Sequence, residues 1–132
     1  MTLTVLVVDD DPVMRTILRA MLTASGHAVE VAADGAEGLA RLVHETTGAA
    51  LPDVVIVDSR MPGIDGLEVV RRLRAHPGTR DLALVVMSAA DTDADVAVGL
   101  EAGADRFLFK PVTPGRLVTV VQEAWAARTA GG

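Results

Sequence analysis

A chain of 132 residues is long enough for one domain and too short for two ordinary ones, and with half of its residues apolar it can bury a core. Its net charge of −6, with no block of Lys or Arg to offset it, disfavours nucleic acid and anionic membrane as partners. The absence of Cys removes disulfides and thiolate metal sites, and the scarcity of aromatics leaves Val, Leu, Ala, Ile and Met to fill a sheet covered by helices.

Leu3 to Val8 reads as a first buried strand. It is too short for a signal peptide or a membrane span and has no basic leader, so a soluble, cytoplasmic protein is expected. Asp11 and Pro12 form a helix start, with a capping side chain before a residue whose missing N–H costs nothing there. Met14, Ile17, Leu18, Met21 and Leu22 follow at helical spacing, with Arg15 and Arg19 on the other side, and Ser25-Gly26-His27 ends the helix. Ala28 to Ala32 is a short second strand. Asp34-Gly35 turns into a helix whose stripe is Ala36, Leu39, Ala40 and Val43, and residues 46 to 52 form a loop closed by Pro52.

Val54 to Val57 is the third strand, ending at Asp58. After a Pro/Gly-rich loop, shaped by Pro62, Gly63 and Gly66, Leu67, Val70 and Leu73 mark a third helix that stops before Pro77. Leu82 to Met87 is the fourth strand, Ala94 to Glu101 a short, weakly patterned fourth helix, and Asp105 to Phe109 the fifth strand. The last helix runs from Pro114 to Arg128, with Trp125 at the edge of the core, and the tail 129–132 is expected to fray. His27, His44 and His76 read as surface residues. Five strand-then-helix units without a linker make one α/β domain over residues 1–128, an open parallel sheet with helices on both faces.

In such a sheet ligands bind beyond the carboxyl ends of the strands, where the strand order reverses. The polar residues at those ends are Asp9 and Asp10, Asp58, Ser88 and Lys110. With the common order 2-1-3-4-5 and strands about 4.8 Å apart, they stand in a row, and the Lys110 side chain can cross most of its gap to Asp58. Three neighbouring carboxylates resist ionising together unless a cation joins them, and an all-oxygen donor set suits Mg²⁺ or Mn²⁺. The central carboxylate, Asp58, can then act as a nucleophile towards phosphorus, with the Lys110 ammonium neutralising charge on the transferring oxygens and Ser88 donating a hydrogen bond.

Four segments together carry a specific pattern: Val7-Val8-Asp9-Asp10, Asp58-Ser59-Arg60-Met61-Pro62-Gly63-Ile64-Asp65-Gly66, Ser88-Ala89-Ala90 and Lys110-Pro111. Over essentially its whole length the chain resembles the receiver domain of two-component response regulators, with the flavodoxin-like (βα)5 fold. The resemblance implies that Asp58 is the phosphoacceptor, served by a histidine kinase or a histidine phosphotransfer protein. It implies that Asp10, Asp58 and the backbone carbonyl of Arg60 bind Mg²⁺, with Asp9 helping through water. Lys110 would pair with the phosphoryl group, and the peptide before Pro111 would be cis. Ser88 and Phe107 take the switch positions, relaying the change to the surface of the fourth helix, fifth strand and fifth helix, where a downstream partner protein would dock. Arg60 and Ala90 lie where they would modulate phosphoryl lifetime. The protein would be a monomer or a phosphorylation-dependent dimer.

The first functional expectation is therefore a stand-alone signalling receiver rather than an enzyme. A receiver excised from a larger regulator or hybrid kinase, and a degenerate receiver acting as a constitutive binding module, are the alternatives. A haloacid-dehalogenase-type phosphatase fits less well, because that family carries D-x-D at the nucleophile and here the segment is Asp58-Ser59-Arg60. A flavodoxin would need a Ser/Thr-rich phosphate loop where this chain has Asp9-Asp10-Asp11.

Overall fold

The computed structural model describes residues 2–44, 51–89 and 93–129, and in it the five short strand segments pair as a single sheet. The strands are β1 (Thr4–Val8), β2 (Ala28–Ala32), β3 (Val54–Asp58), β4 (Ala83–Ser88) and β5 (Arg106–Phe109). All pairings are parallel and the order is β2-β1-β3-β4-β5, the flavodoxin-like arrangement. The helices are α1 (Pro12–Ala24), α2 (Gly35–Leu39), α3 (Gly66–Ala75), α4 (Asp93–Ala102) and α5 (Pro114–Thr129).

Strand alternation sorts the core into two layers. Val5, Val7, Val54, Ile56, Val85, Met87 and Leu108 pack against Leu18 and Leu22 of α1 and Leu117, Val120, Val121 and Ala124 of α5. Leu6, Val8, Val55, Val57, Leu84 and Val86 pack against Leu39 of α2 and Val69, Val70 and Leu73 of α3. Every residue of β3 and β4 is buried, which explains why these strands read as unbroken apolar runs. Trp125 is half-buried against the first layer, at the expected core edge.

Three helix starts lie just beyond carboxyl ends of strands, and each is capped by an aspartate. Asp11 accepts from the Val13 N–H at 2.9 Å, Asp34 from Glu37 at 2.8 Å and Asp65 from Glu68 at 2.8 Å, each contributing about 1 kcal/mol. These caps set the direction in which the chain leaves β1, β2 and β3.

Several sequence expectations change in the folded chain. The second helix stays regular only to Leu39 and continues as a wider π turn over Ala40–His44. Its buried positions are Gly35, Gly38, Leu39 and Leu42, whereas Ala36 is exposed. The two glycines draw the helix down: a Cβ at Gly38 would lie 3.0 Å from Val8 Cγ2, and one at Gly35 2.7 Å from the Ile64 carbonyl oxygen. His27 is buried rather than on the surface, because its Nδ1 accepts the Leu3 N–H at 3.0 Å and ties the turn before β2 to the start of β1. His76 is half-buried, and the side chain of His44 is outside what the structure describes. Arg15 does not point to solvent either; its guanidinium donates to the Asp9 carbonyl at 2.6 Å. The loop expected at 46–52 falls mostly outside the described residues, as do residues 130–132 of the expected tail.

At the amino ends of the strands one side chain joins three segments. Arg74 of α3 donates to the carbonyls of Gly103 (2.9 Å), Arg80 (2.8 Å) and Leu82, and pairs with Asp105 at 2.8 Å. Asp105 also accepts the Leu84 N–H at 2.8 Å and pairs with Arg128 of α5 at 2.8 Å. Burial pushes the Arg74 guanidinium below its usual pKa, and the Asp105 charge opposes that shift. The ends of β4, α4, β5 and α5 farthest from the strand-end carboxylates are thereby held together.

Candidate functional site

β1 and β3 are neighbours, so their carboxyl ends bring Asp9, Asp10 and Asp58 together, with one oxygen from each within 4.8 Å of the others. Asp9 is fully buried and Asp58 nearly so, whereas Asp10 is exposed. Asp58 closes β3, in register with Met87 of β4, and Ser59 N–H donates to the Met87 carbonyl at 2.8 Å. Ser88 is the last residue of β4, buried, and its carbonyl accepts the Lys110 N–H at 3.0 Å. This contact sets the start of the segment after β5, and the Lys110–Pro111 peptide is cis as expected. Lys110 Nζ reaches Asp58 Oδ2 at 3.5 Å, so the predicted row of residues closes into a cluster.

The cluster borders an open cleft of about 350 Å³ lined by Asp58, Ser59, Arg60, Ser88, Ala89 and Lys110. The Arg60 N–H lies 3.4 Å from Asp58 Oδ1, and its exposed side chain stands at the mouth. Ala90, expected to modulate the site, lies outside the described residues.

The acidic corner is electrostatically unfinished. Asp9 Oδ1 accepts the Asp11 N–H at 2.9 Å, but among the described residues Oδ2, which is buried, has no hydrogen-bond partner. Burial is the main reason its pKa is raised to about 6, the Asp11 N–H opposes the shift, Asp58 adds to it, Lys110 lowers it and Asp10 raises it slightly. An orphaned buried oxygen beside two further carboxylates, with no nitrogen or sulfur donor, fits a hard divalent cation such as Mg²⁺. Bound there, a cation would give Asp9 the counter-charge that its buried position lacks.

Phe107 lies on β5, partly buried against the second core layer, with its ring stacked on Phe109 at 5.9 Å and 17°. It borders a second cavity, of about 220 Å³, that also touches Arg60, Ser88 and Asp95. Phe107, Ser88 and the cleft beside Asp58 are therefore contiguous. Sequence reasoning missed Arg15, whose bond to the Asp9 carbonyl holds the β1–α1 turn. The only sequence signal was its place on the first turns of the helix that follows the acidic pair.

The chain was compared with known proteins. A family model described as the response regulator receiver domain matches residues 5–122. The transcriptional regulatory protein AfsQ1 of Streptomyces coelicolor is 44% identical over 107 residues, covering 81% of this chain and 44% of that protein. The response regulator MprA of a Mycobacterium species is 42% identical over 111 residues, 84% of this chain and 45% of that one. The chain thus spans less than half the length of these curated relatives. Among solved structures, a response regulator of Chloroflexus aurantiacus superposes with a TM-score of 0.86 at 36% identity, covering 96% of this chain and 99% of that one. The chemotaxis protein CheY4 of Vibrio cholerae gives 0.83 at 30% identity, covering 94% and 99%.

Proposed function

This chain belongs to the receiver-domain family of two-component response regulators, and from that premise we propose that Asp58 is its phosphoacceptor and residues 1–128 its signalling domain. The observation that carries this reading is the Asp58 carboxylate itself, held between Lys110 at 3.5 Å and two further carboxylates at the mouth of an open cleft.

Receiver domains of this family are served by histidine kinases or phosphotransfer proteins. On this reading an Asp58 oxygen attacks the phosphorus of a phosphohistidine. A P–O bond forms as the P–N bond breaks, and the leaving imidazole takes up a proton. Lys110 moves its ammonium from the carboxylate to a phosphoryl oxygen, and the Ser88 hydroxyl donates to another. Asp10, Asp58 and the Arg60 carbonyl, with Asp9 beside them, would hold Mg²⁺, which would supply divalent counter-charge for the transferring oxygens. The domain makes no product beyond its own acyl phosphate and its hydrolysis.

Phosphorylation adds roughly −1.5 to −2 charge at the end of β3. Ser88 turning towards it draws in the segment after β4, and Phe107 carries the change to the surface of α4, β5 and α5, where a downstream protein docks. As a stand-alone receiver in the cytoplasm the chain would signal through a bound partner, a reading favoured by the likeness to the chemotaxis protein CheY4, 99% of whose chain is covered. The longer transcriptional regulators among its relatives favour the second reading, a receiver module of a larger regulator.

Intact mass after incubation with acetyl phosphate tests the chemistry. One phosphoryl group should be gained with Mg²⁺, and none without it or in Asp58→Asn. A gain that persists in Asp58→Asn would overturn the assignment; no gain at all would leave a constitutive binding module.

Arg60 carries a further consequence. Its side chain borders both the cleft and the Phe107 cavity, where it screens the acyl phosphate from water. Arg60→Ala should speed autodephosphorylation severalfold, read as loss of the phosphorylated mass over time; an unchanged rate would refute the screening role.

A further inference from the structure

Helix α4 buries a single residue, Gly99. A Cβ built there would collide with Phe107 Cζ and lie 2.8 and 3.0 Å from the two neighbouring ring carbons, Cε1 and Cε2. The tip of the Phe107 ring therefore occupies the space that any other residue at 99 would fill. The three nearest atoms all belong to that ring, so the closest conflict is with the far end of one side chain.

The helix cannot move aside freely to relieve that conflict. The Gly99 carbonyl accepts the N–H groups of Gly103 and Ala104 at 3.2 and 3.1 Å, which closes the carboxyl end of α4. Gly103 in turn is held by Arg74. With that end of α4 held, the conflict falls first on the ring, whose side chain turns about χ1 on an edge strand.

We propose that Gly99 is the positioning residue of the switch: the absence of its side chain seats the Phe107 ring against α4, and so couples the resting position of the ring to that of the helix. The proposal rests on the receiver reading for its meaning, but the seat itself can be tested without phosphorylation.

The chain contains two phenylalanines, so incorporation of fluorophenylalanine gives two ¹⁹F signals, and Phe109→Leu assigns them. In the absence of any phosphodonor, Gly99→Ala should displace the Phe107 signal and leave the protein folded. In wild type, acetyl phosphate with Mg²⁺ should move the Phe107 signal in the same direction. Urea midpoints supply an independent reading. Gly99→Ala should raise the midpoint when introduced into Phe107→Leu, because alanine is the better helix former, and should fail to raise it when the ring is present. An unmoved Phe107 signal in folded Gly99→Ala, or the same midpoint change in both backgrounds, would overturn the seat. If intact mass shows no phosphoryl gain, the phosphoacceptor reading fails while the donor-free results still decide the seat.

Discussion

Gly66→Ala should lower the unfolding midpoint and abolish phosphoryl uptake together, the broadest effect expected of any single methyl group in this chain. A Cβ at position 66 would collide with the Asp58 carbonyl oxygen and lie 2.8 Å from its carbonyl carbon and 2.9 Å from Ser59 Cα. All three obstacles are backbone atoms of the strand end that carries the proposed acceptor. No side chain can swing away, so either α3 must retreat from β3 or Asp58 must shift. Overpacking of this kind costs about 3 kcal/mol, roughly 10 °C in melting temperature for a domain of this size. Because Asp65 caps α3 one residue earlier, the same displacement also loosens the helix start. Thermal melts and intact mass read the two effects; a variant with the wild-type melt and full phosphoryl uptake would show that α3 is not pressed against the site.

Arg74→Met should be the most destabilising change away from the proposed site, at about 3–5 kcal/mol, the range for breaking a buried ion pair from one side. Arg74 and Asp105 are 15% and 10% exposed, so solvent does little to replace the bonds lost. The substitution removes the Arg74 donor from three carbonyls and leaves Asp105, among the described residues, with Arg128 and the Leu84 N–H. Arg128→Met should cost distinctly less, because that side chain is 31% exposed and, among the described residues, donates to Asp105 alone. Lysine at 74 restores the charge but not the forked donors, and should recover only part of the loss. Since this cluster lies at the amino ends of the strands, phosphoryl uptake in the folded fraction should be unchanged. Urea titration of the three variants gives the order; equal losses for Arg74→Met and Arg128→Met would contradict the clamp.

Much of this was legible in the residues. Uninterrupted apolar runs rich in Val marked β1, β3 and β4, and caps such as Asp11-Pro12 marked where helices begin. Polar residues at four strand ends became neighbours once the order was 2-1-3-4-5, and the Lys110–Asp58 contact follows from it. What sequence periodicity could not show was contact made through the absence of a side chain. Gly35 and Gly38 rotate α2 away from its apolar stripe, Gly66 presses α3 onto Asp58, and Gly99 admits a ring; none has a signature in hydrophobic spacing. The same limit applies to bonds between side chains and distant backbone. Nothing around His27 announces that it accepts the Leu3 N–H, and a run of arginines on α3 does not single out Arg74 as the one that turns inward.

Borohydride reduction after acetyl phosphate treatment distinguishes which carboxylate forms the acyl phosphate, since it converts an aspartyl phosphate to homoserine. Peptide mass mapping should then find homoserine at position 58 and aspartate at positions 9 and 10. Homoserine at 9 or 10 with aspartate retained at 58, or a phosphorylated protein that yields no homoserine, would contradict the account.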